Sequence, residues 1–349
     1  MNPTRRQYLA TLGGVATAGC TAPSLTGGNA SDQRDISLLL NWKPSGLHAP
    51  YYAAKAQGYY EAEGLSLSTI RSGQGSDFSA KQAGLGNVPF AISSSDQVLN
   101  INSRGLSPRS VGIVMQRNPM VVFTTRTALD DPLTDTSQLA GRRVGTGPGM
   151  VRVMTDLFLQ ENGVRSSVDL VDSGFNTVQR LLAGKIDAAG GVFADAVVAQ
   201  ARGATVDSLR VGPTIPSYGH VITTNHDYAR KNPEVVRSFL RATARGAAWA
   251  HRNPGSAVEH LVEDNEALAE SGTEQRLYWE AMAAQYMLSP AVETQGWGWG
   301  RADPWERTTE MLADADMLGG SVDPSSVWTN AYLDTENEYI REYADIVSG

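Results

Sequence analysis

Ile36-Ser37-Leu38-Leu39-Leu40-Asn41-Trp42-Lys43-Pro44-Ser45-Gly46-Leu47-His48-Ala49-Pro50-Tyr51-Tyr52-Ala53-Ala54 is the stretch on which the reading of this chain turns. Its apolar run, residues 36–40, has the short unbroken pattern of a buried strand. Residues 51–60 follow as a helix closed by Gly58. A strand that passes to a helix through a polar loop is the unit of a mostly parallel sheet covered on both faces. The unit recurs downstream: strand 65–70, helix 76–83, strand 88–92 and a helix over 96–103 that ends at Gly105. Residues 111–115 and 120–124 are two strand-like runs broken by Asn118-Pro119, and the polar stretch 130–137 then interrupts the rhythm. The series restarts with a strand at 143–145, a helix over 150–162, a strand at 168–171, a helix over 177–183 and a strand at 188–193. Residues 211–215 and 220–224 form another strand pair around Pro216. Two such series joined by two extended crossovers predict an α/β protein of two lobes with two hinges, one lobe spanning 35–120 with 221–349 and the other 121–220. From Asn232 the pattern is helical. Asn232-Pro233-Glu234 starts a helix that Asn253-Pro254 stops, Ser271 with Glu274 forms a capping box for a helix to 288, and 305–318 is another.

The first residues give an address. Thr4-Arg5-Arg6-Gln7-Tyr8-Leu9-Ala10 resembles a twin-arginine export signal, and residues 9–19 are too short and glycine-rich to span a bilayer. Ala18-Gly19-Cys20 resembles a lipoprotein cleavage box, with Thr17 where leucine is more usual. Residues 1–20 therefore read as a signal and 21–34, small and polar, as a flexible tether. The expected location is the outer face of the cytoplasmic membrane, with Cys20 carrying the lipid anchor. Cys20 is the only cysteine, so neither an intramolecular disulfide nor a thiolate metal cluster can form. At 349 residues and 41% hydrophobic, the chain is long enough for two cores. A net charge of −8 gives it no electrostatic attraction to nucleic acid. No later segment approaches eighteen unbroken apolar residues, so the anchored body is expected to be soluble.

Ligand chemistry concentrates in loops that follow strands, at the carboxyl edge where open α/β sheets bind small molecules. Trp42 can stack on a flat ring, while Asn41 and His48 can donate and accept hydrogen bonds; the same residues also suit a core aromatic and a helix cap. The turns Ser72-Gly73-Gln74-Gly75-Ser76-Asp77 and Gly145-Thr146-Gly147-Pro148-Gly149 open helices, and Gly75, Ser76, Gly147 and Gly149 offer backbone N–H groups to oxygen atoms or simply permit tight turns. Neither matches a dinucleotide or phosphate-loop fingerprint. Ser94 and Asp96 stand at another helix start, as ligand groups or as an ordinary cap. Phe193 and Asp195 end a strand of the second series, and Tyr218-Gly219-His220 opens the return crossover. An aromatic and a carboxylate from that side would complete a sandwich around a ring bearing amino groups. Gly296-Trp297-Gly298-Trp299-Gly300 has the composition of a mobile aromatic flap or of a packing patch. The five histidines (48, 220, 226, 251 and 260) show no zinc spacing, and no nucleophile elbow is present, so neither catalytic nor metal-ligating residues are assigned.

Leu40 to Pro44 with His48 to Ala54, Gly58 to Leu65, Leu181 to Ala188, Lys231 to Leu240 and Trp328 to Leu333 together resemble a known family. It is the periplasmic-binding-protein-like (type II) solute receptors of ABC transporters, and within them the thiamine-pyrimidine-precursor binders and the pyrimidine synthases. The resemblance implies two α/β lobes, mostly parallel in their sheets, that close on a small molecule. It further implies no cofactor, delivery to an ABC permease in the membrane, and a chain that works as a monomer. Asn41 and Trp42 match the family's ring-binding position. Near the strand ending at Phe193 the pyrimidine binders carry a glutamate, and Asp195 is the carboxylate this chain offers there. The synthase branch carries a lysine and a histidine after the strand that corresponds to 88–92, where this chain has Ser93-Ser94-Ser95-Asp96, and it carries a cysteine-rich segment absent here. The expected ligand is a thiamine pyrimidine precursor or a similar planar nitrogen heterocycle. Riboflavin and aliphatic sulfonates such as taurine are the ligands of sister families, and a synthase is the alternative of another class.

Overall fold

The computed structural model describes residues 34–348; the expected signal, Cys20 and all of the expected tether 21–34 but Arg34, which opens the first strand, lie outside the described residues. Strand β1 (Arg34–Leu39) buries Ile36, Leu38 and Leu39, and only a strand inside a helix-covered sheet can bury neighbours on both faces. It pairs in parallel with β2 (Leu65–Arg71) and with β3 (Phe90–Ser93), where Leu38 lies opposite Phe90. The chain then runs through β4 (Pro108–Ile113) into the second sheet at β5 (Met120–Thr125), buried at every position. The second sheet continues with β6 (Arg143–Thr146), β7 (Asp169–Asp172), β8 (Ala188–Val192) and β9 (Val206–Arg210), after which β10 (Val221–Asn225) returns to the first.

The two sheets have matching orders, β2-β1-β3-β10-β4 and β7-β6-β8-β5-β9. Each contains one strand antiparallel to its neighbours, β10 in the first and β5 in the second. Those are the strands the chain enters on arriving from the other sheet. The result is a two-lobed α/β protein whose lobes are joined by two crossovers, residues 114–119 and 211–220.

The crossovers run side by side. Val114 and Met115 N–H both donate to His220 O at 2.8 and 3.0 Å, and Gly219 N–H donates to Met115 O at 3.2 Å. A Cβ at position 219 would lie 2.8 Å from both Cβ and Sδ of Met115, so this approach requires glycine. Outside the first sheet, the helix Pro233–Arg252 lies on the helix Ala49–Ala56, and a Cβ at Gly246 would sit 2.5 Å from Pro50 O. Beneath them Phe239 stacks on Phe90 at 3.9 Å and 8°, with Tyr60 at 5.3 Å.

Three expectations are corrected, and the choice between a flap and a packing patch at 296–300 falls to the patch. The strand beyond the second helix series is β9, and residues 211–215 turn into the crossover; β9 is a half-exposed edge whose Asp207, Ser208 and Arg210 hide it from apolar patterning. Phe193 does not end β8 but opens the helix Phe193–Ala201, because strand passes to helix with no loop between. Ser271 makes no capping box: its hydroxyl donates to Leu268 O at 3.0 Å, and the Glu274 carboxylate takes the Tyr278 hydroxyl at 2.7 Å. The segment 296–300 is no flap, since Trp297 is buried and Gly298 O accepts Ile113 N–H at 2.8 Å. No helix among the described residues is long and apolar enough to cross a membrane.

Candidate ligand-binding cleft

Because β1, β2 and β3 run parallel, the loops that follow them share one edge of the first lobe. Two of these loops are clipped together: Gly73 N–H donates to Trp42 O at 3.0 Å and Gly75 N–H to Asn41 O at 2.8 Å. Gly75 takes φ +138°, a conformation reserved for glycine, to turn into the helix Ser76–Gly84. Gly46 fixes the other end of the first loop, its N–H bonded to Gln275 Oε1 at 2.9 Å, where a Cβ would meet Gln275 O at 1.8 Å. Asn41 and Trp42 therefore stand on a backbone braced on both sides.

Trp42 is 44% exposed, and from the second lobe Phe175, 80% exposed, faces it at a ring-centroid distance of 6.3 Å and 27°. Phe175 belongs to the loop after β7, on the edge shared by the loops after β6 and β8. A large aromatic this exposed contributes little to a core, and two of them meeting across the lobes form a surface for a flat ring. Gly147 lies beside this loop, where its Cβ would be 3.4 Å from Gly174 O, and Gly149 (φ +68°) opens the helix Met150–Glu161 without a side-chain cap. Thr146 Oγ1 and Ser173 Oγ are buried there with no hydrogen-bond partner among the described residues.

Behind Trp42, His48 Nε2 lies 2.9 Å from Asn41 Oδ1, and Asn41 Nδ2 lies 3.2 Å from His220 Nε2. The two imidazoles stack at 5.4 Å and 13°. Burial, reinforced by the neighbouring ring, holds His48 well below the ordinary histidine value, and burial alone takes His220 and the distant His251 down to about 4. The unfolded chain takes up protons on these rings near pH 6.5, whereas the folded chain resists until about pH 4. Stability is therefore full above about pH 6.5 and is lost as the pH falls through that window. Urea unfolding at about pH 7.5 and about pH 5 should show a lower midpoint in acid; equal midpoints would contradict neutral rings.

The remaining candidates divide by what the fold already asks of them. The Tyr218 ring packs against Trp305, its hydroxyl accepts Arg301 N–H at 2.8 Å, and burial raises it to about 12. Phe193 is buried on Tyr286 at 4.2 Å. Asp195 Oδ2 accepts Val192 N–H at 2.9 Å at the start of its own helix, and burial raises its carboxyl. Asp96 is buried, raised by desolvation, and accepts from Gln97 Nε2 at 2.9 Å. Ser94 and Ser76 are half-buried on the loop edge. Two other hydroxyls of the serine run are engaged by the fold: Ser93 Oγ donates to Ser76 O at 2.8 Å and Ser95 Oγ accepts Tyr218 N–H at 2.9 Å. Phe175 and His220 were not among the residues expected from sequence; the rule that ligands sit beyond the carboxyl ends of strands could have flagged Gly174-Phe175-Asn176 after β7.

The architecture is that of the two-lobed binding-protein fold: the periplasmic aliphatic sulphonate binding protein SsuA of Escherichia coli superposes with a TM-score of 0.67 at 12% identity, over 84% of this chain and 91% of that one. The chain belongs to the NMT1/THI5-like family, whose profile matches residues 46–257. It is 25% identical to the riboflavin-binding protein RibY of Chloroflexus aurantiacus, over 86% of each chain. It is 26% identical to the formylaminopyrimidine-binding protein of Halalkalibacterium halodurans, over 81% of this chain and 86% of that one. A 4-amino-5-hydroxymethyl-2-methylpyrimidine phosphate synthase of Legionella pneumophila is 26% identical over 65% of this chain and 73% of its own.

Proposed function

We propose that this chain is the solute-binding component of an ABC import system that captures a planar nitrogen heterocycle, such as a thiamine pyrimidine precursor, between its lobes. The observation that carries the reading is the exposed pair Trp42 and Phe175, meeting at 6.3 Å from opposite lobes. Asn41, oriented by His48 behind it, supplies polar contacts beside the ring. The uncapped helix starts at Gly75-Ser76 and Gly147–Gly149 supply N–H groups for polar substituents. Two relatives are named for riboflavin and formylaminopyrimidine, both flat and nitrogen-rich. An aliphatic sulfonate would gain nothing from the aromatic pair. In this reading lobe 1 comprises 35–120 and 221–349 and lobe 2 comprises 121–220. The chain works as a monomer with a membrane permease, and Cys20 tethers it by lipid to the outer face of the cytoplasmic membrane.

Binding without catalysis is supported by Ser93-Ser94-Ser95-Asp96, which puts neither lysine nor histidine where the synthase branch has them. A ligand that binds only the folded chain raises its melting temperature, so riboflavin, a formylaminopyrimidine and taurine can be ranked by thermal shift. A rise with a heterocycle and none with taurine is expected. A rise with taurine alone, or a lysine adduct with pyridoxal phosphate seen by absorbance, would overturn the reading.

A further inference from the structure

The hydrogen bonds around His48 and His220 determine which nitrogen of each ring carries its proton. Ser45 N–H donates to His48 Nδ1 at 3.2 Å, so that nitrogen is an acceptor and the proton of the neutral ring sits on Nε2. Nε2–H then donates to Asn41 Oδ1 at 2.9 Å. With its oxygen so occupied, Asn41 presents Nδ2 to His220 Nε2 at 3.2 Å, which must accept. The proton of His220 is left on Nδ1, a buried atom with no hydrogen-bond partner among the described residues.

A buried N–H left unmade costs the full desolvation of the donor, so a native structure retains one where something else completes it. The position of His220 shows what can. It immediately precedes β10, whose Val221 pairs with Ser93 at the end of β3, and its ring reaches Asn41 just beyond the end of β1. The ring thus lies over the carboxyl ends of β1 and β3, the edge that carries Trp42.

We propose that His220 Nδ1–H is a ligand-reading donor of this cleft and that it selects a neutral acceptor, a ring nitrogen or carbonyl oxygen of a planar heterocycle. This rests on the heterocycle-binding reading above and adds the residue that sets its polarity. The relay delivers a donor without a charge: both rings are buried and stacked at 5.4 Å, so protonating them together would set two cations face to face. A sulfonate, whose full charge is best met by a cation, is disfavoured at such a donor.

Two substitutions separate the two nitrogens of His220. In His220→Asn the amide nitrogen falls near the place of Nδ1, keeping the donor and losing the acceptor for Asn41. In His220→Gln the amide reaches the place of Nε2, keeping the acceptor and losing the donor. Calorimetric titration with riboflavin and with a formylaminopyrimidine should show His220→Gln weakening whichever binds by about tenfold, and His220→Asn holding within about threefold. Equal losses in both variants, a larger loss in His220→Asn, or an unchanged His220→Gln would overturn the proposal. Imidazole nitrogen NMR of the unliganded protein is an independent check. It should find His220 protonated on Nδ1 and His48 on Nε2, and the opposite tautomer at His220 overturns the proposal whatever ligand binds. If taurine alone binds while the tautomers are as expected, the heterocycle reading has failed and the selectivity proposed for His220 fails with it. If riboflavin or the pyrimidine binds and His220→Gln is silent, only the role of His220 has failed.

Discussion

Trp42→Ala is expected to weaken binding of a planar heterocycle by about 30-fold, or ~2 kcal/mol, with little change in melting temperature. The asymmetry follows from where the side chain stands. Trp42 is 44% exposed and outside every core cluster among the described residues, so removing it opens no cavity. Its backbone is held by the Gly73 and Gly75 N–H groups and does not depend on the indole. What the variant loses is apolar area and an aromatic face that only a ligand would cover. Phe175→Ala should show the same pattern more weakly, because the loop after β7 presents the smaller ring. Isothermal titration beside a thermal melt separates affinity from stability. A Trp42→Ala chain that binds within about 0.5 kcal/mol of the parent would remove ring stacking from the mechanism.

Phe239→Ala should do the reverse and cost about 3–5 kcal/mol of stability, lowering the melting temperature by roughly 5–8 °C. Phe239 is fully buried and stacks at 3.9 Å on Phe90 of β3, with Tyr60 on its other side. The ring is thus the contact through which the helix Pro233–Arg252 sits on the first sheet. Neighbouring side chains cannot collapse into the space, because that helix already touches the helix Ala49–Ala56 backbone to backbone at Gly246. The site residues stand on the opposite, loop edge of β1 and β3. Affinity measured well below the melting temperature should therefore change little. A melting temperature within about 2 °C of the parent would show that this contact does not anchor the lobe.

The order of strands and helices was legible because strands buried on both faces leave unbroken apolar runs, as in β1 and β5. β9 escaped for the complementary reason: it is an edge, and Val206-Asp207-Ser208-Leu209-Arg210 holds only two apolar residues, set three apart, so it shows neither an apolar run nor an alternation. The helix after β8 escaped because Val192 passes directly into Phe193, with no turn residue to mark the change. At the cleft, Asn41, Trp42 and His48 could be read from one loop, since their chemistry and their place after β1 lie within a few residues. Their partners could not. His220 reaches Asn41 across 179 positions, and Phe175 meets Trp42 from the other lobe, so neither pairing leaves a local pattern. Tyr218, Asp96 and Asp195 show the converse failure, being suitable in type and near the cleft edge but engaged by the fold with Arg301, Gln97 and Val192.

The paired crossovers also set how far each cleft residue travels. In a rotation about them, displacement grows with distance from the axis. His220, whose carbonyl binds Val114 and Met115 within the pair, lies on that axis. Phe175 follows β7, three strands from β5 in the sheet order, roughly 14 Å along the hydrogen-bonding direction. His220 is a fulcrum and Phe175 is the tip of the arm. With His220 as the donor proposed above, a solute would meet the same polar contact whether the jaws are parted or shut, and the sweep of the distal ring would distinguish a visit from a capture.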